Sequence, residues 1–426
     1  MQQVSRLVAT HFPGSAAELR LGGMPVGALA AAHGTPLFAY DAGVLDRKWT
    51  LLRETLPPEF AIAYSVKANP NPSILRYFLA KGSLLEVASA GELRRAIEAG
   101  CPSDRILFAG PGKTEAELEL ALRCSIREVH AESALELRRI GDIARRLEVQ
   151  ARVAIRVNPG VEVQGGAMRM GGKPAAFGVD EESLDGILAR ALDDARVDFR
   201  GLHVYAGTQI LDAAVLAQQY RRAVEIARRV ADRVGRPLHT LDFGGGLGIP
   251  YFANESDLDM TKLREELQSL MADIEGDRRL AGTTMLVEPG RYLVGEAGVY
   301  ITRLLDVKVS RGKTFLIVDG GMNHHLAASG NLGQVIKRNF PVALLNRLDA
   351  TPELVADVVG PLCTPLDTLA RDLSIPTPAV GDLLGIFQSG AYGLTASPVD
   401  FLGHPSPAEV LVSEGRAELI RGRGSR

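Results

Sequence analysis

A (β/α)8 TIM barrel followed by a mostly-β domain is the architecture predicted for this 426-residue chain, and three observations predict it. From about residue 60 onward, short apolar or β-branched runs alternate with longer amphipathic stretches rich in Ala, Leu, Arg and Glu, the pattern of repeated βα units. Eight such runs can be counted, which is the strand number of that barrel. After Tyr292 the texture changes to Val- and Ile-rich runs broken by Gly, Pro, Asp and Asn, the mark of a second, β-rich domain.

The eight runs are Phe60 to Lys67, Leu84 to Ser89, Arg105 to Ala109, Glu128 to Ala131, Ala151 to Asn158, Gly201 to Ala206, His239 to Phe243 and Met285 to Glu288. Between them, Ala90 to Ala99, Ala116 to Arg123, Glu132 to Arg146 and Ala213 to Val234 have helix-forming composition and helical spacing of apolar residues. Thr314 to Asp319, Leu383 to Phe387 and Glu409 to Val412 read as strands of the second domain. Ahead of the barrel, a Pro- and Gly-punctuated lead precedes a short strand, Leu37 to Tyr40, that can pair with either domain. The implied division is an N-terminal segment over 1–35, a barrel over 36–292 and a β domain over 293–426. The stretch Gly160 to Gly172, with Gly165-Gly166 and Gly171-Gly172 around two methionines, is a candidate lid or a plain surface excursion.

At 46% hydrophobic and 23% charged residues, the chain can bury large cores and is too long for one typical domain. A formal net charge of -3 with interspersed signs provides no basic field for nucleic acid or an anionic membrane, which leaves small molecules or proteins as partners. No charged-then-apolar leader follows Met1 and no apolar stretch approaches the ~20 residues of a membrane span, so a cytoplasmic protein is expected. Cys101, Cys124 and Cys363 are scattered, without zinc-site or disulfide spacing, and reduced thiols are expected.

In such a barrel, residues just past the carboxyl ends of the strands face one site, and the chemically unusual residues fall there. Lys67 closes the first run, where a partly desolvated ammonium loses pKa and can form a Schiff base. Its bland alternative is a lysine that snorkels to water. His203 and Tyr205 lie near the end of the sixth run. Gly244, Gly245 and Gly246 follow the seventh and let backbone N–H groups approach a phosphate, or simply make a tight turn. Ile249 stands where a dinucleotide fingerprint needs Gly or Ala, which disfavours a nicotinamide cofactor. Glu288 ends the eighth run, where a carboxylate needs a cationic partner: a protonated pyridine nitrogen, or half of a structural ion pair. Arg291 adds a charge for the phosphate or pairs with a structural carboxylate. Lysine, acid, glycine cluster and arginine together describe a pocket for pyridoxal 5'-phosphate. An acid at the ring nitrogen favours decarboxylation, whereas an arginine there would suit a racemase.

These residues resemble the fold-type III pyridoxal-phosphate decarboxylases, which include diaminopimelate and ornithine decarboxylases. The resemblance rests on Tyr64-Ser65-Val66-Lys67-Ala68-Asn69, Glu86-Val87-Ala88-Ser89-Ala90-Gly91-Glu92-Leu93, Gly244-Gly245-Gly246 and Glu288-Pro289-Gly290-Arg291-Tyr292. It continues in Val318-Asp319-Gly320-Gly321-Met322-Asn323, Gly360-Pro361-Leu362-Cys363 and Gly390-Ala391-Tyr392-Gly393. The resemblance implies the barrel and β domain of the alanine racemase and ornithine decarboxylase architecture, in a head-to-tail homodimer with shared active sites. It implies a Schiff base at Lys67, Glu288 facing the pyridine nitrogen, and phosphate binding by the glycine cluster, Arg291 and Tyr392. It also implies that Cys363 of the other subunit returns a proton after carbon dioxide leaves; a thiol, with an ordinary pKa of about 8.5, carries one at neutral pH. Cys363 is otherwise an inert cysteine, a reading weakened by the preceding Gly-Pro and by Asp367 nearby.

Two departures from the family pattern bear on the substrate. Counting back from Thr208, the phosphate-binding hydroxyl, puts Tyr205 where the family has a stacking histidine; a phenol ring stacks as well, and His203 becomes a supporting residue. The residues that hold the distal end of diaminopimelate are replaced: the arginine slot is Ala327, the acid after the cysteine is Thr364, and the arginine before Pro405 is His404. His324, Thr364 and Asp367 remain as substrate contacts, with the reservation that the adjacent His324 and His325 point to opposite faces. No metal site is expected. The pattern resembles the branch acting on carrier-protein-bound glutamate or on polyamino-carboxylate and siderophore precursors. The rival readings are a meso-diaminopimelate decarboxylase of lysine synthesis, a racemase, and a pyridoxal-phosphate-binding regulatory pseudoenzyme.

Overall fold

The computed structural model describes residues 2–160, 168–169, 174–205, 207–334 and 336–424. The chain divides into two compact units, Met1–Thr50 with Pro250–Ser256 and Arg291–Arg426, and Leu51–Ile249 with Asp257–Gly290.

The second unit is a closed parallel barrel of eight strands: β1 (Phe60–Ser65), β2 (Leu84–Val87), β3 (Ile106–Phe108), β4 (Glu128–Ala131), β5 (Ala151–Asn158), β6 (Val197–Val204), β7 (Thr240–Asp242) and β8 (Thr284–Val287). The circle closes through β8 on β1, with Met285 opposite Phe60, and through β4 on β5, with Val129 opposite Val153. Burial on both faces explains why these strands read as apolar runs rather than as alternating patterns. Ala63, Leu84, Leu107 and Leu286 pack together within the barrel. Six of the helices that connect the strands have chemically marked starts. Asn71, Ser89, Thr114, Ser133, Asp212 and Asp259 all accept a backbone N–H of the first helical turn, and Thr114 with Glu117 forms a full capping box. β6 approaches β7 so closely that a Cβ at Gly201 would strike the carbonyl oxygen of Thr240. The first expected strand ends earlier than the sequence suggests: Val66–Ala68 is a 3-10 turn, and Lys67 rides on it.

The other unit is built on a sheet in which Leu37–Asp41 lies between Gly298–Ser310, antiparallel, and Ala408–Ser413, parallel. Lys313–Val318, Leu354–Val359 and Thr368–Ile375 extend one side and Arg416–Arg421 the other. A barrel beginning at residue 36 is therefore corrected. Leu37–Asp41, buried along its whole length, gains hydrogen-bonded neighbours on both edges in the β sheet. Residues 2–35, expected as an N-terminal segment able to pair with the β domain, include the helices Gln2–His11 and Val26–His33 of the same unit. A buried ion cluster ties the first helix to this unit: Glu296 meets Lys48 Nζ at 2.7 Å and His11 Nε2 at 3.4 Å.

Of the candidate lid, residues 161–167 and 170–172 lie outside the described residues, while Met168–Arg169 pairs antiparallel with Gly207–Thr208. Among the described residues, no helix is long and apolar enough to cross a membrane.

Candidate active site

Lys67 leaves the end of β1 and hydrogen-bonds both oxygens of Glu86 on β2, at 3.1 and 2.9 Å. Ser65 Oγ donates to the same carboxylate at 2.7 Å. The desolvation expected of Lys67 falls instead on its partner, for the lysine side chain is 46% exposed and that of Glu86 only 1%. Burial alone would raise the Glu86 pKa; Lys67 and the serine hydroxyl overcome that and hold it below the usual carboxylate range.

Across the barrel, Glu132 gathers three segments. Its oxygens accept Arg156 Nη1 at 2.8 Å, Gly110 N at 2.8 Å and Gly178 N at 2.9 Å. The Arg156 guanidinium lies 5.8 Å from the centre of the Tyr205 ring, and that ring covers the glycine cluster: a Cβ at Gly244 would sit 2.6 Å from it. Gly244 and Gly246 hold φ of +67° and +100°, which side-chain-bearing residues rarely adopt. A Cβ at Gly245 would fall 2.7 Å from the Glu288 carbonyl oxygen. Thr208 stands half-buried on the short strand beyond β6.

Glu288, 5% exposed, forms an acid pair with Asp242 at the end of β7. Burial raises both carboxyls, Glu288 well above the ordinary range; Asp242 raises Glu288 further, whereas the hydrogen bond with Glu288 lowers Asp242. Among the described residues, Glu288 Oε1 and Asp242 Oδ2 have no other donor. His203, expected as a substrate or supporting contact, is 2% exposed and turned inward, its Nε2 3.5 Å from Glu288 Oε2. Its substrate role is corrected on that ground. His203 Nδ1 meets His130 Nδ1 at 3.0 Å. His130, His203, Asp242 and Glu288 each offer a ligand atom within 4.8 Å of the others, close enough for a metal ion.

Within the first unit, Arg291 donates to Tyr251 Oη at 3.0 Å and stacks 4.7 Å from the Tyr392 ring centre. Cys363 is exposed. Asp367, expected to touch substrate, is buried and accepts Met322 N at 2.7 Å and Leu362 N at 2.9 Å, so its carboxylate fastens the loop that carries Cys363. Thr364 Oγ1 accepts Leu366 N at 3.3 Å in that same loop. His324, expected as a substrate contact, and its neighbour His325 are both buried. His324 lies 3.1 Å from Tyr300 Oη and from Asn323 Nδ2, and His325 2.9 Å from Ser389 Oγ. Burial lowers their pKa to about 4 and about 3, which keeps both rings neutral.

Glu86, His130, Glu132, Arg156 and Asp242 carry this geometry without having been singled out from the sequence. Glu86 lies inside a family motif, and Asp242 ends an apolar run as Glu288 does; the reasoning that selected Glu288 applies to both. The site fits pyridoxal phosphate through a lysine at a strand end, a glycine turn without room for side chains, and a buried acid just past β8.

A family model described as the pyridoxal binding domain of the pyridoxal-dependent decarboxylases matches residues 42–295. The L-glutamyl-[BtrI acyl-carrier protein] decarboxylase of Niallia circulans is 40% identical over 401 residues, 93% of each chain. The diaminopimelate decarboxylase of Aquifex aeolicus is 33% identical over 95% of this chain and 93% of its own. A solved diaminopimelate decarboxylase from M. jannaschii superposes with a TM-score of 0.88 at 27% identity, covering 96% of this chain and 94% of that one. On the family match across the barrel and relatives aligned over nearly the full length, this chain belongs to the pyridoxal-dependent decarboxylases.

Proposed function

We propose that this decarboxylase removes the α-carboxyl group of a glutamyl residue carried as a thioester on an acyl-carrier protein. One observation carries the reading: identity is 40% to the L-glutamyl-carrier decarboxylase but 33% and 34% to the diaminopimelate decarboxylases of Aquifex and Methanothermobacter, over nearly equal lengths. The sequence agrees with it, because Ala327, Thr364 and His404 stand where a free diaminopimelate would need its distal groups held.

Pyridoxal 5'-phosphate, when bound, supplies the electron sink for carbon dioxide loss. In this reading Lys67 holds the cofactor covalently, and Glu86 orients its amine through two hydrogen bonds. Glu288 faces the ring nitrogen, Tyr205 stacks on the ring, and Thr208, the three glycines, Arg291 and Tyr392 bind the phosphate. Cys363, from the partner subunit of a homodimer, returns the proton to the α-carbon.

Mass spectrometry of carbon dioxide loss tests the substrate, using glutamyl-carrier protein, free glutamate, ornithine and meso-diaminopimelate. Turnover of the carrier-bound glutamyl group alone is expected. Efficient conversion of meso-diaminopimelate to lysine would overturn the reading.

A further inference from the structure

Arg291 opens the short helix Arg291–Val294, and two phenol rings stand within cation–π reach of its guanidinium: Tyr392, at 4.7 Å from the ring centre, and Tyr251, at 5.4 Å. The Tyr251 hydroxyl oxygen also accepts Arg291 Nη1 at 3.0 Å. Tyr251 is 4% exposed, and several contacts fix its place. Its ring centre lies 4.6 Å from that of Phe340, its backbone N–H donates to Glu255 Oε2 at 2.9 Å, and the preceding carbonyl oxygen, of Pro250, accepts Gln388 Nε2 at 2.8 Å. Gln388 is buried and stands four residues before Tyr392, so one side-chain amide ties the segment carrying the first ring to the segment carrying the second.

A buried aromatic residue is ordinarily core, and packing on Phe340 accounts for the Tyr251 ring. It does not account for the hydroxyl, whose partner is a cation. An unrestrained arginine side chain samples many rotamers and loses that freedom when it grips an anion. One held in place beforehand loses less, and the difference appears as affinity. The chemistry of the holder matters as well. A carboxylate would fix a guanidinium and cancel its charge, whereas a phenol fixes it and leaves the charge for the anion. Burial raises the Tyr251 pKa, so its hydroxyl is uncharged at neutral pH.

We propose that Tyr251 is a positioning residue for phosphate binding: it holds the Arg291 guanidinium in the orientation that meets the cofactor's phosphate and leaves the guanidinium charge intact. Tyr392 contributes its ring, while Gln388 and Glu255 keep Tyr251 in place. The inference rests on the phosphate role given to Arg291 above and names the residue through which the chain prepares that arginine. Because Tyr251 acts through Arg291, its hydroxyl should matter only for a ligand that carries a phosphate, and only while Arg291 is present.

The test is absorbance titration of the cofactor-free full-length protein with pyridoxal 5'-phosphate and with pyridoxal, its analogue lacking the phosphate, in a double-mutant cycle of Tyr251→Phe and Arg291→Met. Tyr251→Phe keeps the ring and removes the acceptor. It is expected to weaken pyridoxal phosphate binding roughly tenfold and pyridoxal binding by less than about twofold. Arg291→Met should weaken pyridoxal phosphate binding by roughly 100-fold, and adding Tyr251→Phe to it should cost nothing more. Equal losses for both ligands in Tyr251→Phe, or a tenfold loss that persists beside Arg291→Met, would make Tyr251 a structural residue only and overturn the proposal. Unchanged pyridoxal phosphate affinity in Tyr251→Phe, next to a selective loss in Arg291→Met, would overturn it while sparing the phosphate role of Arg291. An Arg291→Met protein that prefers pyridoxal phosphate as strongly as wild type would refute that role and the inference with it. Should Arg291→Met not fold, Arg291→Lys, which keeps the charge and loses the planar fork, takes its place in the cycle.

Discussion

Glu86 accepts two hydrogen bonds from the Lys67 ammonium, at 3.1 and 2.9 Å, from a position almost wholly sealed from water. The charge that burial would otherwise disfavour is kept ionised by the lysine and by Ser65. Glu86→Gln should therefore leave Lys67 misoriented, lowering kcat/KM by roughly 10- to 100-fold. Lys67→Ala should abolish the borohydride-trapped cofactor adduct seen by mass spectrometry. Wild-type kinetics in Glu86→Gln would show that the pair is merely electrostatic packing.

Cys363 is exposed, so replacing it costs little stability. Cys363→Ala is expected to unfold within about 0.5 kcal/mol of wild type and to retain cofactor absorbance. Product formation should drop by about 100-fold. Steady-state assays beside urea titration check both halves, and full activity would assign the proton donor elsewhere.

Asp367 binds two backbone N–H groups with one buried carboxylate. In Asp367→Asn the amide nitrogen faces a donor, and a loss of about 1–3 kcal/mol follows. Calorimetry should show the melting temperature falling by several degrees, about 2–4 °C per kcal/mol for a unit of this size. A smaller fall would mean that Met322 and Leu362 find other acceptors.

Glu296 links acid stability to the first helix. Burial pushes its pKa up, but Lys48 and His11 reverse the shift and bring it to about 2. Because the folded value lies below the unfolded one, its stabilisation is complete above pH ~5 and disappears as pH falls toward 2; it is on the order of 3 kcal/mol. Urea titrations from pH 6 to 2 should show this slope, and Lys48→Met should flatten it. An equal slope in both proteins would exonerate Glu296.

Gly245→Ala would place a methyl group 2.7 Å from the Glu288 carbonyl oxygen. The turn must shift, and cofactor affinity measured by absorbance titration should fall at least about tenfold. Unchanged affinity would release the glycine turn from its assigned part.

Much of the barrel was legible because its signals are local. Apolar runs bounded by Asn, Ser, Thr or Asp caps announce strand, turn and helix within a few residues. Leu37–Asp41 was not assignable, because its pairing partners lie more than 250 residues away at Gly298–Ser310 and Ala408–Ser413. His324 looked like a substrate contact in a rewritten motif, yet it and His325 are both enclosed by aromatic and polar neighbours from distant strands. Burial of that kind leaves no mark in the neighbouring sequence.

By itself the sequence determined the fold class, the cofactor chemistry and the strand-end positions of Lys67, Gly244 to Gly246 and Glu288, since each follows from periodicity or from residue type at a particular point. Only the tertiary structure decided that Glu86 partners Lys67, that Asp242 and His203 flank Glu288, and that Asp367 fastens the Cys363 loop. Those relationships depend on which strands close the barrel and on how much water the closure removes. Desolvation and hydrogen-bond direction are properties of the assembled interior, and no local run of residues encodes them.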